Sequence, residues 1–288
     1  PKHMGIKKIV ALMSSVGFSD PPSWVRPFRV LSTGEQFRVT MARVLAEHAD
    51  KKIAVVDEFT SVVDRNVAKI GSTALARTVR KLRQKFVAVT CHEDVEPWLT
   101  PDWVYRPAED QFYWRLVQQS PTITLRVARV NYSTWQLFRH HHYLDTSLNK
   151  SAVCFAAFWN DTAVAFTSAV GFPHKVVPGW RLHRTVCLPD FQGANIGVAL
   201  TDFVSSVLRA KSKHVFRTAA HPAIVSHCAN SRLWKMNRHP SLSAPSSAHE
   251  LSQRGRSMGD MKRATNRLTA GFEYVGPKAS DEHVSALM

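Results

Sequence analysis

Leu188-Pro189-Asp190-Phe191-Gln192-Gly193-Ala194-Asn195-Ile196-Gly197-Val198 is the stretch on which the second half of the chain turns. Residues 180–188 before it read as a strand, and residues 198–209 after it as a helix. Between them, Gly193 and Gly197 bracket Ala194, Asn195 and Ile196. Asn tolerates left-handed backbone angles, so it suits such a loop. A strand that passes into a helix through small residues gathers backbone N–H groups and the positive end of the helix dipole at one point, which makes an anion site. A Gly-x-x-x-Gly turn alone is equally the mark of an ordinary tight turn.

The flanking sequence favours the first reading. Residues 122–130 alternate with period two, and Ser133 is placed to cap a helix over 134–144. Two apolar strands, 152–159 and 162–170, surround Asn160-Asp161 as a hairpin. A strand over 213–219, a helix over 222–234 and a last strand over 268–275 follow. Residues 237–263 are rich in Ser, Pro, Arg and His and read as a long basic loop, and 280–288 as a tail. No strand–Gly-x-Gly-x-x-Gly–helix unit occurs, which disfavours a Rossmann fold.

In this β-α-β-β-β-α-β-α-β order, Gln192 to Gly197 resembles the Arg/Gln-x-x-Gly-x-Gly/Ala motif of the GNAT-type N-acetyltransferases, with Asn195 in place of a glycine. The resemblance implies a bound acetyl-CoA or other acyl-CoA, with Leu188, Gln192, Gly193, Ala194, Asn195, Gly197 and Val198 around it. The family often uses a glutamate on the strand before the motif as base. This strand has no carboxylate, and His183 is its titratable candidate. No tyrosine lies between Tyr143 and Tyr274 to serve as the family's acid, which leaves Ser231, His227 and Cys228 as nearby substitutes. Arg139, His140 and Arg184 are candidates to face an anionic substrate. His140-His141-His142 is a poor metal site, because consecutive helical residues point apart.

The first half carries a different set. Leu31-Ser32-Thr33-Gly34-Glu35 opens an amphipathic helix, and an apolar strand over 53–56 delivers Asp57-Glu58. Ser61-Val62-Val63-Asp64, a helix over 66–82, a strand over 86–90 and Cys91-His92 follow. Each alone is commonplace: a helix cap, a strand end, a surface histidine. In this order they resemble the second half of an ABC-type ATPase. That resemblance implies nucleotide binding by Ser32, Gly34, Glu35, Asp57 and Asp64. It also implies Mg²⁺ held with ATP by Asp57, a water polarised by Glu58, phosphate sensing by His92, and a homodimer. Thr33 stands where a glycine is usual and Glu35 where glutamine is commoner. No Gly-x4-Gly-Lys-Ser/Thr phosphate loop occurs anywhere, so tight ATP binding by this chain alone is not expected. The chain begins at Pro1, and the expectation is a fragment whose missing ATPase lobe precedes it.

The 288 residues suffice for two domains, and 44% hydrophobic with 21% charged residues is a globular composition. The expected fold class is α/β: a partial ABC ATPase (P-loop NTPase) lobe over 1–119, then a GNAT-like mixed α/β domain over 120–288. The net charge of +16 falls as +5 in residues 1–118 and +11 in 119–288, which makes nucleic acid a candidate partner. Four scattered cysteines suggest neither a disulfide framework nor a zinc site, and no window is long and apolar enough for a membrane span. A cytoplasmic location is expected. Three functions fit: an acyl-CoA-dependent transferase fused to the ATPase module, an ABC-type ATPase acting on nucleic acid with a non-catalytic GNAT-like sensor, or a transporter's ATP-binding subunit.

Overall fold

Helix α1 (Ile6–Ser15) opens the computed structural model, which describes residues 4–48, 53–114, 123–142, 146–173, 177–212, 214–242 and 268–288. After the short α2 (Pro21–Trp24), a 3₁₀ turn leads into α3 (Thr33–Glu47). Its start is fixed by a capping box: the Ser32 hydroxyl accepts the Glu35 N–H, and the Glu35 carboxylate accepts the Ser32 N–H. Strand β1 (Ile53–Val56) pairs in parallel with β2 (Lys85–Ala88), and α4 (Arg65–Leu82) connects them. Asp64 caps α4, and Arg83 at φ 53° ends it. Phe59 lies between the rings of Phe37 (5.6 Å) and Phe86 (6.0 Å), in a core with Val16, Met41, Leu45, Val67 and Leu75.

After α5 (Glu96–Leu99) comes β3 (Trp103–Arg106). It does not extend the β1–β2 sheet. It pairs antiparallel with β4 (Gln111–Trp114), with Trp103 opposite Trp114 and Tyr105 opposite Phe112. The polar turn Pro107-Ala108-Glu109-Asp110, with Asp110 at φ 49°, folds the chain back before it can reach another strand.

The rest builds one seven-stranded sheet in the order β5-β6-β7-β8-β9-β11-β10. Its strands are β5 (Arg126–Val130), β6 (Val153–Trp159), β7 (Thr162–Phe172), β8 (Gly179–Cys187), β9 (His214–Ala219), β10 (Trp234–Leu242) and β11 (Leu268–Tyr274). Short α6 (Trp135–Phe138) follows β5, α7 (Ile196–Lys211) links β8 to β9, α8 (Pro222–Asn230) follows β9, and α9 (Asp281–Leu287) closes the chain. Asn160 (φ 47°) and Asp161 (φ 63°) make the expected hairpin turn between β6 and β7. The β-α-β-β-β-α-β-α-β order is present with one strand more.

That strand, β10, was read as part of a helix and a loop. Pro240, few apolar residues and register shifts around Arg238 hide its alternation, and only an edge position tolerates them. The helix expected over 134–144 is a run of short 3₁₀ and α turns from Tyr132 to His141. The expected tail is α9, which Ser280 caps and whose Val284 and Leu287 are buried.

The chain forms two compact units. One comprises residues 1–148, 154–167 and 184–200, and the other 149–153, 168–183 and 201–288. The boundary expected at 119/120, and most of the basic loop 237–263, lie outside the described residues.

Candidate acyl-CoA loop

Strand β8 hands the chain to the loop at Leu188, whose N–H donates to the Val164 carbonyl at 3.0 Å. A 3₁₀ turn over Pro189–Phe191 follows. Gly193 (φ 94°) and Asn195 (φ 62°) then take left-handed angles, and Asn195 carbonyl accepts the Ala199 N–H at 2.9 Å as α7 begins. Val198 lies half-buried in the first turn of α7. Among the described residues no acceptor meets the N–H groups of Gly193, Ala194, Asn195 and Ile196. Four donors that meet no acceptor at the start of a 16-residue helix are an arrangement that favours an anion. The Gly197 N–H instead faces the Cys187 thiol, which burial pushes up to about 12.

Gln192 is committed inside the protein. Its Oε1 accepts the Ser19 N–H at 2.8 Å and its Nε2 donates to the Cys187 carbonyl at 3.1 Å. It therefore holds the loop rather than reaching for a ligand. Glycine is required on both sides of this contact. Gly17 has φ 90°, and a Cβ there would lie 2.4 Å from the Gln192 carbonyl oxygen. A Cβ on Gly193 would lie 2.7 Å from Gly17 Cα and 2.9 Å from Ala74 Cβ. The sequence alone did not point to Gly17 or Arg38. Arg38, 1% exposed on α3, donates to the carbonyls of Pro189 and Asp190, and desolvation lowers its pKa to about 10. Nothing local in α3 marks Arg38 as a loop contact, since it reads as one more polar position of an amphipathic helix.

His183, half-buried on β8, directly follows Leu182, the last β8 residue paired with β9. Of the acid candidates, His227 Nε2 is bonded to Asp202 Oδ2 at 3.0 Å, and burial raises the pKa of the Cys228 thiol. Ser231 Oγ accepts the Leu233 N–H at 3.1 Å. Arg184 Nε donates to the Ser147 carbonyl at 3.1 Å, and Arg139 Nε to His140 Nε2 at 3.0 Å, so neither is a bare substrate clamp.

In the first half, Asp57-Glu58 and His92 follow the C-terminal ends of two parallel strands, the usual place for a ligand in an α/β sheet. Asp57 and Glu58 are exposed; Asp57 Oδ1 accepts the Glu58 N–H (2.9 Å), and Glu58, at φ 51°, accepts the Ser61 hydroxyl (2.6 Å). The His92 N–H donates to Thr90 Oγ1 at 3.1 Å. Asp64 is a helix cap, Glu35 is buried and bonded to Ser23, and Gly34 lies against the Asp190 carboxylate, while Ser32 is exposed. Among the described residues no three His, Cys, Asp or Glu side chains group to hold a metal ion. No helix among them is long and apolar enough to cross a membrane.

No protein-family model and no curated protein matches the chain. Solved structures similar to it include the ribosomal-protein-S18-alanine N-acetyltransferase of Escherichia coli, at 11% identity and TM-score 0.35 over 55% of this chain and 97% of that one. An acetyltransferase of Bacillus subtilis in complex with CoA is similar at 9% identity and TM-score 0.33, over 52% and 98%. An N-acetyltransferase of Staphylococcus aureus Mu50 is similar at 10% identity and TM-score 0.37, over 52% and 97%. Likeness at these scores assigns no activity to this chain.

Proposed function

We propose that the chain is an acyl-CoA-dependent N-acyltransferase of GNAT type. The observation that carries this reading is the row of four unsatisfied amides at residues 193–196, set at the start of the helix that joins two parallel strands. These donors suit the pyrophosphate of coenzyme A, whose charge the helix dipole also favours. Small residues let that group approach the backbone. In the transfer, an acceptor amine attacks the thioester carbonyl carbon. The C–N bond forms, the C–S bond breaks, the amine loses a proton to a base and the leaving thiolate regains one. His183 is the proposed base. The acceptor bears a nucleophilic amine, and the +16 net charge favours one on an anionic macromolecule such as nucleic acid.

A second reading concerns residues 1–119. The exposed Ser32 on the α3 cap, and Asp57-Glu58 and His92 beyond parallel strand ends, favour half of an ATP site. A phosphate-binding loop would have to come from elsewhere. On this reading the chain alone does not bind ATP and Mg²⁺ tightly, and an ATPase-type homodimer holds them only when a segment carrying that loop is supplied to it.

Calorimetric titration with coenzyme A tests the first reading. Wild type should bind. Ala194→Asp, which puts a carboxylate beside the amides but suits a helix N-terminus, should weaken binding by about tenfold or more. Absence of binding by wild type overturns the proposal.

A further inference from the structure

We infer that Arg38 is a positioning residue for the acyl-CoA loop: from helix α3 it sets the geometry of residues 189–196 through the Pro189 and Asp190 carbonyls. The inference deepens the acyltransferase reading and rests on it for the identity of the ligand.

Arg38 is 1% exposed, and its two terminal nitrogens both point at loop carbonyls 151 and 152 residues away in sequence. Burying a guanidinium is costly, and here the two terminal nitrogens offset that cost through the two loop carbonyls while Nε meets no partner among the described residues. The fork geometry matters. Two adjacent carbonyls are fixed together in one plane, which a lysine ammonium cannot do. The Pro189 carbonyl also accepts the Gln192 N–H at 3.2 Å, so Arg38 grips the 3₁₀ turn that delivers Gln192 and Gly193. Three further contacts hold the same turn from the same unit. The Ser19 N–H meets Gln192 Oε1, Gly17 lies against the Gln192 carbonyl, and Gly34 lies against the Asp190 carboxylate. The loop's carbonyls and the Gln192 side chain are thus spent on α1, α3 and their connections, while the amides of residues 193–196 are left to a ligand. The clamp fixes the peptide planes that carry the Asp190 and Phe191 N–H groups, and so the 3₁₀ turn from which residues 193–196 continue.

The same helix begins at Ser32, where the resemblance to ATPases places a nucleotide contact. Arg38 lies on the first turns after that cap. A shift of α3 would therefore be delivered directly to the loop.

The test is amide hydrogen exchange on the full chain without ligand, paired with calorimetry. The reporters are Phe191 and Gln192, whose N–H groups bond the Leu188 and Pro189 carbonyls. Arg38→Met should speed exchange at both well beyond any change in α7, with Arg38→Lys between it and wild type. Gly34→Ala, whose Cβ would lie 2.9 Å from Asp190 Oδ1, should speed the same amides and decides the matter if Arg38→Met fails to fold. Coenzyme A affinity should fall by about tenfold to a hundredfold in Arg38→Met. Pantetheine, which shares the thiol arm but lacks the pyrophosphate, should bind as to wild type. Unchanged exchange at Phe191 and Gln192 in a folded variant overturns the inference, as does equal loss of both ligands. If wild type binds no coenzyme A but the exchange shift is found, the acyltransferase reading falls and the clamp stands.

Discussion

Asp20 shows how a single residue in the first half sets a pH dependence. It is 6% exposed, and the Ser23 hydroxyl lies 2.6 Å from its Oδ2 and 2.9 Å from Glu35 Oε1. One hydroxyl proton cannot serve two carboxylates. The two carboxyl groups compete for the Ser23 hydroxyl, which is directed at Asp20 Oδ2 and at Glu35 Oε1. Burial, the largest influence, raises the Asp20 pKa accordingly. The folded state thus holds a proton that the unfolded chain releases near the ordinary aspartate value. Stability is highest below that value, falls as pH rises through the folded pKa, and is level above it. Asp20→Asn supplies a neutral donor to Ser23 at every pH. Urea titrations at several pH values above 4 should show this decline in wild type and its absence in Asp20→Asn. A parallel decline in both would contradict the assignment. Nothing local marks the pair, since Ser19-Asp20-Pro21-Pro22 reads as a plain turn.

At the scale of elements, local chemistry was the legible part. The Ser32-x-x-Glu35 spacing carried its capping box openly, the Asn160-Asp161 turn announced its hairpin, and the strand–loop–helix at 180–209 was found nearly to its bounds. Edge and terminal elements were not legible. Strand β10 draws its ladder from β11 rather than from its own alternation, and α9 is too short for its period to stand out. Strand β3 pairs with β4 and not with the β1–β2 sheet, a choice between partners that a strand's own residues do not encode. The Ser32 cap gives a direct check. Ser32→Ala should cost about 1 kcal/mol and Ser32→Gly only a few tenths, read as a shift in denaturant midpoint at constant slope. Equal effects of the two would mean that the hydroxyl does not cap α3.

For the molecule as a whole, two resemblances met in one chain, and they stand on different ground. The seven-stranded order follows the strand and helix order expected from the sequence with one strand more, and the N–H groups of residues 193–196 meet no acceptor among the described residues, while Gln192 is spent inside the protein. In the first half, Gly34, Glu35 and Asp64 are occupied within the chain, Ser32, Asp57 and Glu58 are exposed, and His92 is half-buried. Periodicity could not reveal the contacts that join the loop to α1 and α3, because they link residues more than 150 positions apart through backbone atoms. They became visible only when the buried Arg38 had to be given acceptors. The central claim is that the amides of Gly193, Ala194, Asn195 and Ile196 hold the coenzyme's pyrophosphate. Titration of ¹⁵N-labelled full chain with coenzyme A, followed by amide NMR, tests it most directly. The account predicts large downfield shifts at these four amides, smaller ones beyond the first turn of α7, and little response to pantetheine. Saturable binding that leaves these four resonances in place, or no binding at all, would contradict it.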